Sequence, residues 1–237
     1  LSGAPTILEG KRGFYAAYCP DANPEALLNN PEGKWQLHET SIKPWPSCRH
    51  THPAIDAALE ISIQLKGEIP ESIELGVYQS ALDVCDKPNP DSLYDAKFSL
   101  QHCVSIAILC GQVGFDSFES EARQQASGLA KKFSLKCNEE FEKAYPDAWG
   151  AEVKVKLSNG EEICVRRKHA KGDPDAPLSP AEMREKAAML FSYGGVPDPE
   201  NWVERILKLP GEPSFRDSDL HQLLDVSGNG QWSMKDA

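Results

Sequence analysis

Lys43, Arg49, His50 and His52 lie in one short stretch, KPWPSCRHTH, of a chain in which 36 acidic residues outnumber 25 lysines and arginines. Fixed cations beside a helix N-terminus stabilise a bound anion, and a histidine that titrates near neutrality can exchange a proton with it. Pro44 and Pro46 keep the approach to that helix extended and stiff. The combination suits a ligand bearing carboxylates. Spacing alone favours a plainer use, in which Arg49 and the histidines only cap and salt-bridge the start of the helix.

Two further constellations carry less weight. Cys48, His50 and His52 form a CxHxH spacing with no second ligand pair, which fits no usual zinc pattern, so no metal is expected there. The stretch DVSGNGQWSMKD, 225–236, follows a calcium-binding loop at Asp225, Ser227, Asn229, Gly230 and Asp236. Ser227 is a poor charged ligand and Asp236 is shorter than the usual bidentate glutamate, so a polar turn after a helix is the better reading. The seven cysteines are scattered without a CxxC pair, and they are read as free thiols.

The elements that must hold these residues follow from local pattern. From 13 to 35 the prolines, asparagines and glycine break the chain into loop and small helices. Thr51 or His52 can cap a helix with Pro53 in its first turn, Ile55, Leu59 and Ile63 on one face, and an end near Lys66–Gly67. Ile73, Leu75 and Val77 alternate as in a strand with one buried face. The run from Val104 to Leu109 is apolar nearly all round, as in a central buried helix stopped by Gly111. A helix at about 119–132, a strand-like FSLKC and a helical turn around 140–144 follow.

The clearest local signal is AEVKVKLSNGEEICVRR. A three-residue loop, Ser158 to Gly160 with Gly160 at positive φ, pairs Val155 with Ile163, Val153 with Val165 and Lys156 with Glu162. A two-residue Asn159–Gly160 loop would set Lys156 against Ile163 and spoil the apolar face. Beyond HAKGDPDAP, Ser179, Pro180 and Glu182 make a complete capping box for a helix. Two helical pieces, about 200–209 and 217–224, complete the reading.

Composition narrows the partners. A net charge of −11 repels nucleic acid and anionic membranes, so an anion has to be received in a local basic pocket. There is no apolar run of the ~18 residues that a membrane helix needs, and the opening LSGAPTILEGKRG lacks the segments of a signal peptide. A cytoplasmic protein is expected. The chain begins at Leu1 in the manner of a continuation, which suggests a truncated chain or a processed one. No GxGxxG after a strand and no P-loop occurs, so no organic cofactor is expected.

The stretch KPWPSCRHTHPAIDAAL resembles the signature of the MmgE/PrpD family, which includes 2-methylcitrate dehydratase and cis-aconitate decarboxylase. APTILEGKRGF, DAKFSLQHCVSIAILCG, the Asn-Gly hairpin and KGDPDAPLSPAE support the resemblance in the family's order. It implies a helix-rich α+β fold. An α+β lid with a mainly antiparallel sheet, about 41–175, would be flanked by 1–40 and 176–237, which belong to a larger helical domain. Substrate would lie in the cleft between them.

The same resemblance implies the site. Lys43 looks like the family's lid-side lysine, placed to bind a substrate carboxylate or to steady developing negative charge. His52 matches a histidine common in the motif that either faces substrate or caps the helix. Cys48, Arg49 and His50 are further substrate-binding candidates, and Cys48 stands where some decarboxylase members carry a histidine. The family's aspartate, histidines and second lysine match nothing in the chain, so the chain alone would be inactive. The implied protein is a homodimeric hydro-lyase acting on a small polycarboxylate such as 2-methylcitrate, without metal. Decarboxylation or epimerisation of a cis-aconitate-like acid is the alternative, as is a non-catalytic binding module that keeps the lid fold. Under any of the enzymatic readings, Lys43 is expected to line the largest polar cleft.

Overall fold

The computed structural model describes residues 6–11, 13–19, 21, 23, 25, 33 and 35–208. The chain divides into two compact units, Leu1–Ser41 and Ile42–Ala237. The first contains α1 (Phe14–Tyr18) and a 3-10 turn, Gln36–Glu39. The expected helix at 217–224 and the calcium-loop pattern at 225–236 lie outside the described residues.

The second unit is a helix-rich α+β structure. Its helices are α2 (His52–Leu65), α3 (Gln79–Cys85), α4 (Leu93–Lys97), α5 (Leu100–Cys110), α6 (Ser120–Ala130), α7 (Glu139–Ala144), α8 (Pro180–Tyr193) and α9 (Pro199–Lys208). Its strands are β1 (Ser72–Val77), β2 (Phe133–Cys137), β3 (Ala151–Lys156) and β4 (Glu162–Arg167). They form one sheet in the order β2-β1-β3-β4, with β1 and β2 parallel and the other two pairings antiparallel. The parallel pair sets Ile73 opposite Phe133, and the chain crosses from one to the other through α3 to α6. A parallel neighbour needs such a crossover, because no tight turn can return the chain in the same direction.

The core lies between the sheet and the α2–α5 pair. Ile73, Leu75, Val77, Val153 and Val155 supply the sheet side, and Leu100 to Ile108 of α5 are buried almost without interruption. Helix α2 differs from expectation. Ile55 is buried, but Ile63 is 76% exposed, and the buried face consists of Ala54, Ile55, Ala57, Ala58, Ile61 and Leu65. Residues four apart drift about 40° around a helix at each step, so two steps carry Ile63 away from the face of Ile55. The three alanines let α2 approach its neighbours closely. Arg167 at the end of β4 ties the helix down through Asp56 at 2.5 Å and Glu60 at 2.6 Å.

The hairpin has the expected register: Val155 faces Ile163, Val153 faces Val165 and Lys156 faces Glu162. Gly160 has φ of +89°, Leu157 N donates to Glu161 O, and the Asn159 side chain accepts from Glu161 N. The ion pair across the ladder is diagonal, from Lys154 to Glu162 at 2.7 Å.

Ser179 and Glu182 close the capping box of α8 in both directions, at 3.3 and 2.8 Å. Lys171 adds an ion pair to the Glu182 carboxylate. That ion pair first, and the bond from Ser179 N second, hold the Glu182 carboxyl down to about 2. Ser179→Ala should therefore cost about 1 kcal/mol, the usual loss of an N-cap. The measurement is chemical unfolding, and faster amide exchange at Glu182 and Met183 should accompany the loss.

Candidate functional site

The stretch from Ile42 to His52 is built on the turn at 170–176. Ile42 N donates to Gly172 O at 2.8 Å, Gly172 N donates to Ala176 O at 2.8 Å, and Asp173 N donates to Ala170 O at 3.1 Å. Gly172 has φ of +92°, and a Cβ there would overlap the carbonyl oxygen of Ile42 and crowd Pro44. Only glycine allows the two backbones this approach. On the other side Cys48 N donates to Lys97 O at 2.9 Å.

Helix α2 is reached through a 3-10 turn, Arg49–Thr51. Neither Thr51 nor His52 caps α2 with its side chain, which differs from the expectation. The Thr51 hydroxyl donates to Cys48 O at 2.8 Å and contacts the Ser47 hydroxyl at 2.9 Å, so it is already committed. The 3-10 turn does the work of a cap by supplying Cys48 O and Arg49 O to the first amides.

Lys43 is exposed, and its ammonium donates to Ser47 O at 3.2 Å. His52 reaches the same carbonyl from inside: Nε2 lies 3.3 Å from Ser47 O, and the imidazole stands edge-on to Trp45 with centroids 5.4 Å apart. The ring is 1% exposed. A carbonyl only accepts, so Nε2 carries the hydrogen. Burial drives the His52 value down to about 4, partly offset by the Ser47 bond and by Asp173, and reinforced by Lys43 and Arg49. The residue is neutral at pH 7 and acts on the loop, holding Ser47 O where Lys43 meets it.

This burial has a measurable consequence. The unfolded chain binds a proton at His52 near pH 6.5 while the folded protein resists it down to about pH 4. Stability from this residue is complete above about pH 6.5 and falls by roughly 3 kcal/mol as pH drops toward 4. In His52→Asn that share of the acid sensitivity should vanish. Unfolding free energies measured at pH 7 and pH 4.5 would show it, and an unchanged pH dependence in the variant would contradict the assignment.

Arg49 and His50 turn into an aromatic cluster. Arg49 pairs with Asp173 at 2.7 Å and lies over the Trp149 ring with Cζ 4.0 Å from its centroid. His50 stacks on Trp149 at 4.6 Å, and its Nδ1 lies 2.7 Å from the Tyr78 hydroxyl. Tyr78 in turn stacks on Tyr145 at 4.4 Å. Burial and then Tyr145 push the Tyr78 phenol well above its usual value, so its hydroxyl keeps the proton. Burial, with Arg49 adding to it, lowers His50 from the usual histidine value. Cys48 is half-buried, and the Cys85 thiol first, with His50 N and the Lys43 charge, draws its thiol below the usual value against the opposing effect of burial.

The five candidates thus take different surroundings: Lys43 faces solvent, His52 is inside, Arg49 and His50 are engaged by the aromatic cluster, and Cys48 is half-buried. Among the described residues no group of three His, Cys, Asp or Glu side chains is gathered closely enough to hold a metal ion. No described helix is long and apolar enough to cross a membrane. A groove of about 670 Å³ is lined by Pro44, Trp45, Leu59, Ile63, Leu178 and Met189 together with charged groups, and Lys43 is not among its lining residues. Arg167 and Lys171 in its wall are already ion-paired, which leaves Lys186 as its remaining cation. Lys43 precedes two of the groove's lining residues, Pro44 and Trp45, in sequence.

Sequence reasoning missed Gly172, Asp173, Tyr78, Tyr145, Trp149 and Cys85. The Gly-Asp-Pro turn in KGDPDAP could have marked the first two. Nothing in the spacing joins His50 to Tyr78 or Arg49 to Trp149.

A family model described as the MmgE/PrpD C-terminal domain matches residues 45–207. Cis-aconitate decarboxylase of Mus musculus is 28% identical over 196 residues, which are 78% of this chain and 40% of that protein. The chain thus spans less than half the length of that curated relative. Cys48 to His52 fall inside the matched span, and Lys43 precedes it.

Proposed function

Because the chain belongs to the MmgE/PrpD family, we propose that it is the lid-bearing part of a lyase acting on a small polycarboxylate, with Lys43 as the cation that receives a carboxylate. The supporting observation is the loop itself: Lys43 is the solvent-facing cation of the motif, and Ser47 O, His52, Gly172 and the Arg49–Asp173 pair hold its surroundings in place. Elimination or decarboxylation beside a carboxylate requires a base, an acid for the leaving group, and a cation for the enediolate-like charge. Lys43 is suited to the last role. His52 is enclosed and His50 is bonded to Tyr78, so the base and acid come from residues outside 42–52. A cytoplasmic location, expected from composition, and the homodimer implied by the resemblance belong to the same proposal.

Dehydration of a 2-methylcitrate-like hydroxy acid is the first reading. Decarboxylation is the second, and the similarity to cis-aconitate decarboxylase favours it. Cys48, where some decarboxylase members carry histidine, weighs against it. The test offers 2-methylcitrate and cis-aconitate to the protein as its gene encodes it, following loss of water by absorbance of the new double bond and decarboxylation by released carbon dioxide. Turnover of the first alone supports the hydro-lyase, and turnover of the second alone the decarboxylase. Tight binding without turnover supports a binding module, and neither binding nor turnover refutes the proposal.

A further inference from the structure

Asn159 and Gly160 form the exposed tip of the turn between β3 and β4, and among the described asparagines only Asn159 is followed by glycine. Glu161 holds both ends of the Asn159 amide: its backbone N donates to Asn159 Oδ1 at 2.8 Å, and Asn159 Nδ2 donates to a Glu161 carboxylate oxygen at 3.5 Å. Gly160 N donates to Leu157 O at 3.0 Å. Gly160 has φ of +89°, and a Cβ built on it would meet nothing within 4 Å. An amide carbon polarised through its oxygen is thus followed in the chain by a backbone nitrogen that carries no side chain beside it.

We propose that Asn159 is a site of spontaneous deamidation, in which the turn itself supplies the nucleophile and the oxyanion donor and water is the co-reactant. Gly160 N gives its proton to solvent base and attacks Asn159 Cγ, closing a cyclic imide. The Cγ–Nδ2 bond breaks, and Nδ2 leaves as ammonia with a proton taken from water. Water then opens the imide at either carbonyl. One opening leaves aspartate at 159, and the other leaves isoaspartate, whose main chain runs through Cβ. The net change consumes one water and releases one ammonia, with nothing oxidised or reduced.

The local geometry favours the step. As the nitrogen attacks, negative charge gathers on Oδ1, where the Glu161 N–H already donates, and a donor placed in advance stabilises such charge. Nucleophile and electrophile belong to one short segment, so no entropy is spent on bringing them together. Glycine leaves the approach clear and lets the backbone turn at little cost. The opposing effect is the bond from Gly160 N to Leu157 O, which has to open first. It is a single bond at an exposed hairpin tip, the kind that opens locally, while the bond from Leu157 N to Glu161 O and the ladder behind it stay closed. Asn138 lacks this arrangement, because its Oδ1 accepts from two amides of α7 and a glutamate follows it. Asn201 lies within α9 and precedes Trp202. Either product sets a carboxylate beside Glu161 and Glu162, and isoaspartate adds a main-chain atom to the turn that fixes Lys156 opposite Glu162. The chemistry stands independently of the role given to Lys43.

The experiment holds the folded protein in warm, mildly alkaline buffer beside the same chain unfolded in urea, and maps peptides by mass spectrometry after chromatography that separates aspartate from isoaspartate. In the folded protein both products should accumulate at 159 at least about tenfold faster than any change at Asn138 or Asn201, since an unobstructed neighbouring nucleophile and an aligned donor are each worth that much. The rate should rise with pH, because the attacking nitrogen must lose its proton. Gly160→Ala should slow the conversion, as its methyl group crowds the attack. Asn159 staying intact in the folded protein while the unfolded chain converts, or converting no faster than Asn138 and Asn201, overturns the proposal, as does an unchanged rate in a folded Gly160→Ala. The wild-type map decides the question even if that variant does not fold. The map does not depend on turnover, so its failure is distinguishable from failure of the lyase reading.

Discussion

Replacing Lys43 by methionine should lower turnover of the polycarboxylate by at least about a hundredfold in the protein as its gene encodes it, with the unfolding midpoint unchanged. Removing one preorganised group that stabilises developing charge typically costs about a hundredfold to a thousandfold. Methionine keeps the stem and deletes the charge. Lys43 is exposed and its one described bond is a 3.2 Å contact to Ser47 O, so the fold depends little on it. Lys43→Arg should recover part of the rate, because a guanidinium restores charge but presents a planar fork where a compact ammonium stood. Steady-state kinetics on both variants, beside thermal unfolding, is the check. A Met variant with normal turnover would show that the chemistry has been placed on the wrong residue.

Gly172→Ala should be among the most destabilising single-methyl changes in the chain, at about 3 kcal/mol or more. Two effects combine there. A left-handed φ of +92° strains alanine, and the new Cβ overlaps the Ile42 carbonyl, forcing apart the two segments that carry Lys43 and Asp173. Gly160→Ala is the matched control, since its φ is +89° but nothing lies within 4 Å of the added carbon. It should cost only the backbone strain, roughly 1–2 kcal/mol. Denaturant unfolding of the two variants separates the effects, and equal losses would contradict the close approach at Gly172.

What could be read from the residues was the part governed by neighbours in sequence. The register of Val155 on Ile163 follows from alternation and a short turn, and the Ser179–Glu182 box needs only a spacing of three. The buried helix around Val104–Ile108 announces itself by being apolar on every side. Pairings made across long stretches left no such mark. The parallel placement of Ile73 beside Phe133 and the Arg49–Asp173 ion pair depend on how segments distant in sequence pack together.

Within the KPWPSCRHTH stretch, residue types indicated a cationic loop, but not which way each group turns. A histidine at a helix start can face solvent or core, and at His52 the enclosure by Trp45 and the Ser47 carbonyl decided it. Ile63 shows the same limit on a helix, where a repeat of four was read as a buried stripe although the period is 3.6.

The central claim is that the loop from Lys43 to His52 is a preorganised receiver for a small polycarboxylate, and backbone amide NMR during titration with cis-aconitate and with 2-methylcitrate tests it most directly. The account predicts saturable shifts centred on Lys43, Ser47 and Cys48, weakened by added salt and abolished in Lys43→Met. Shifts centred instead on the groove at Lys186 and Met189, or shifts that survive unchanged in the Met variant, would contradict it.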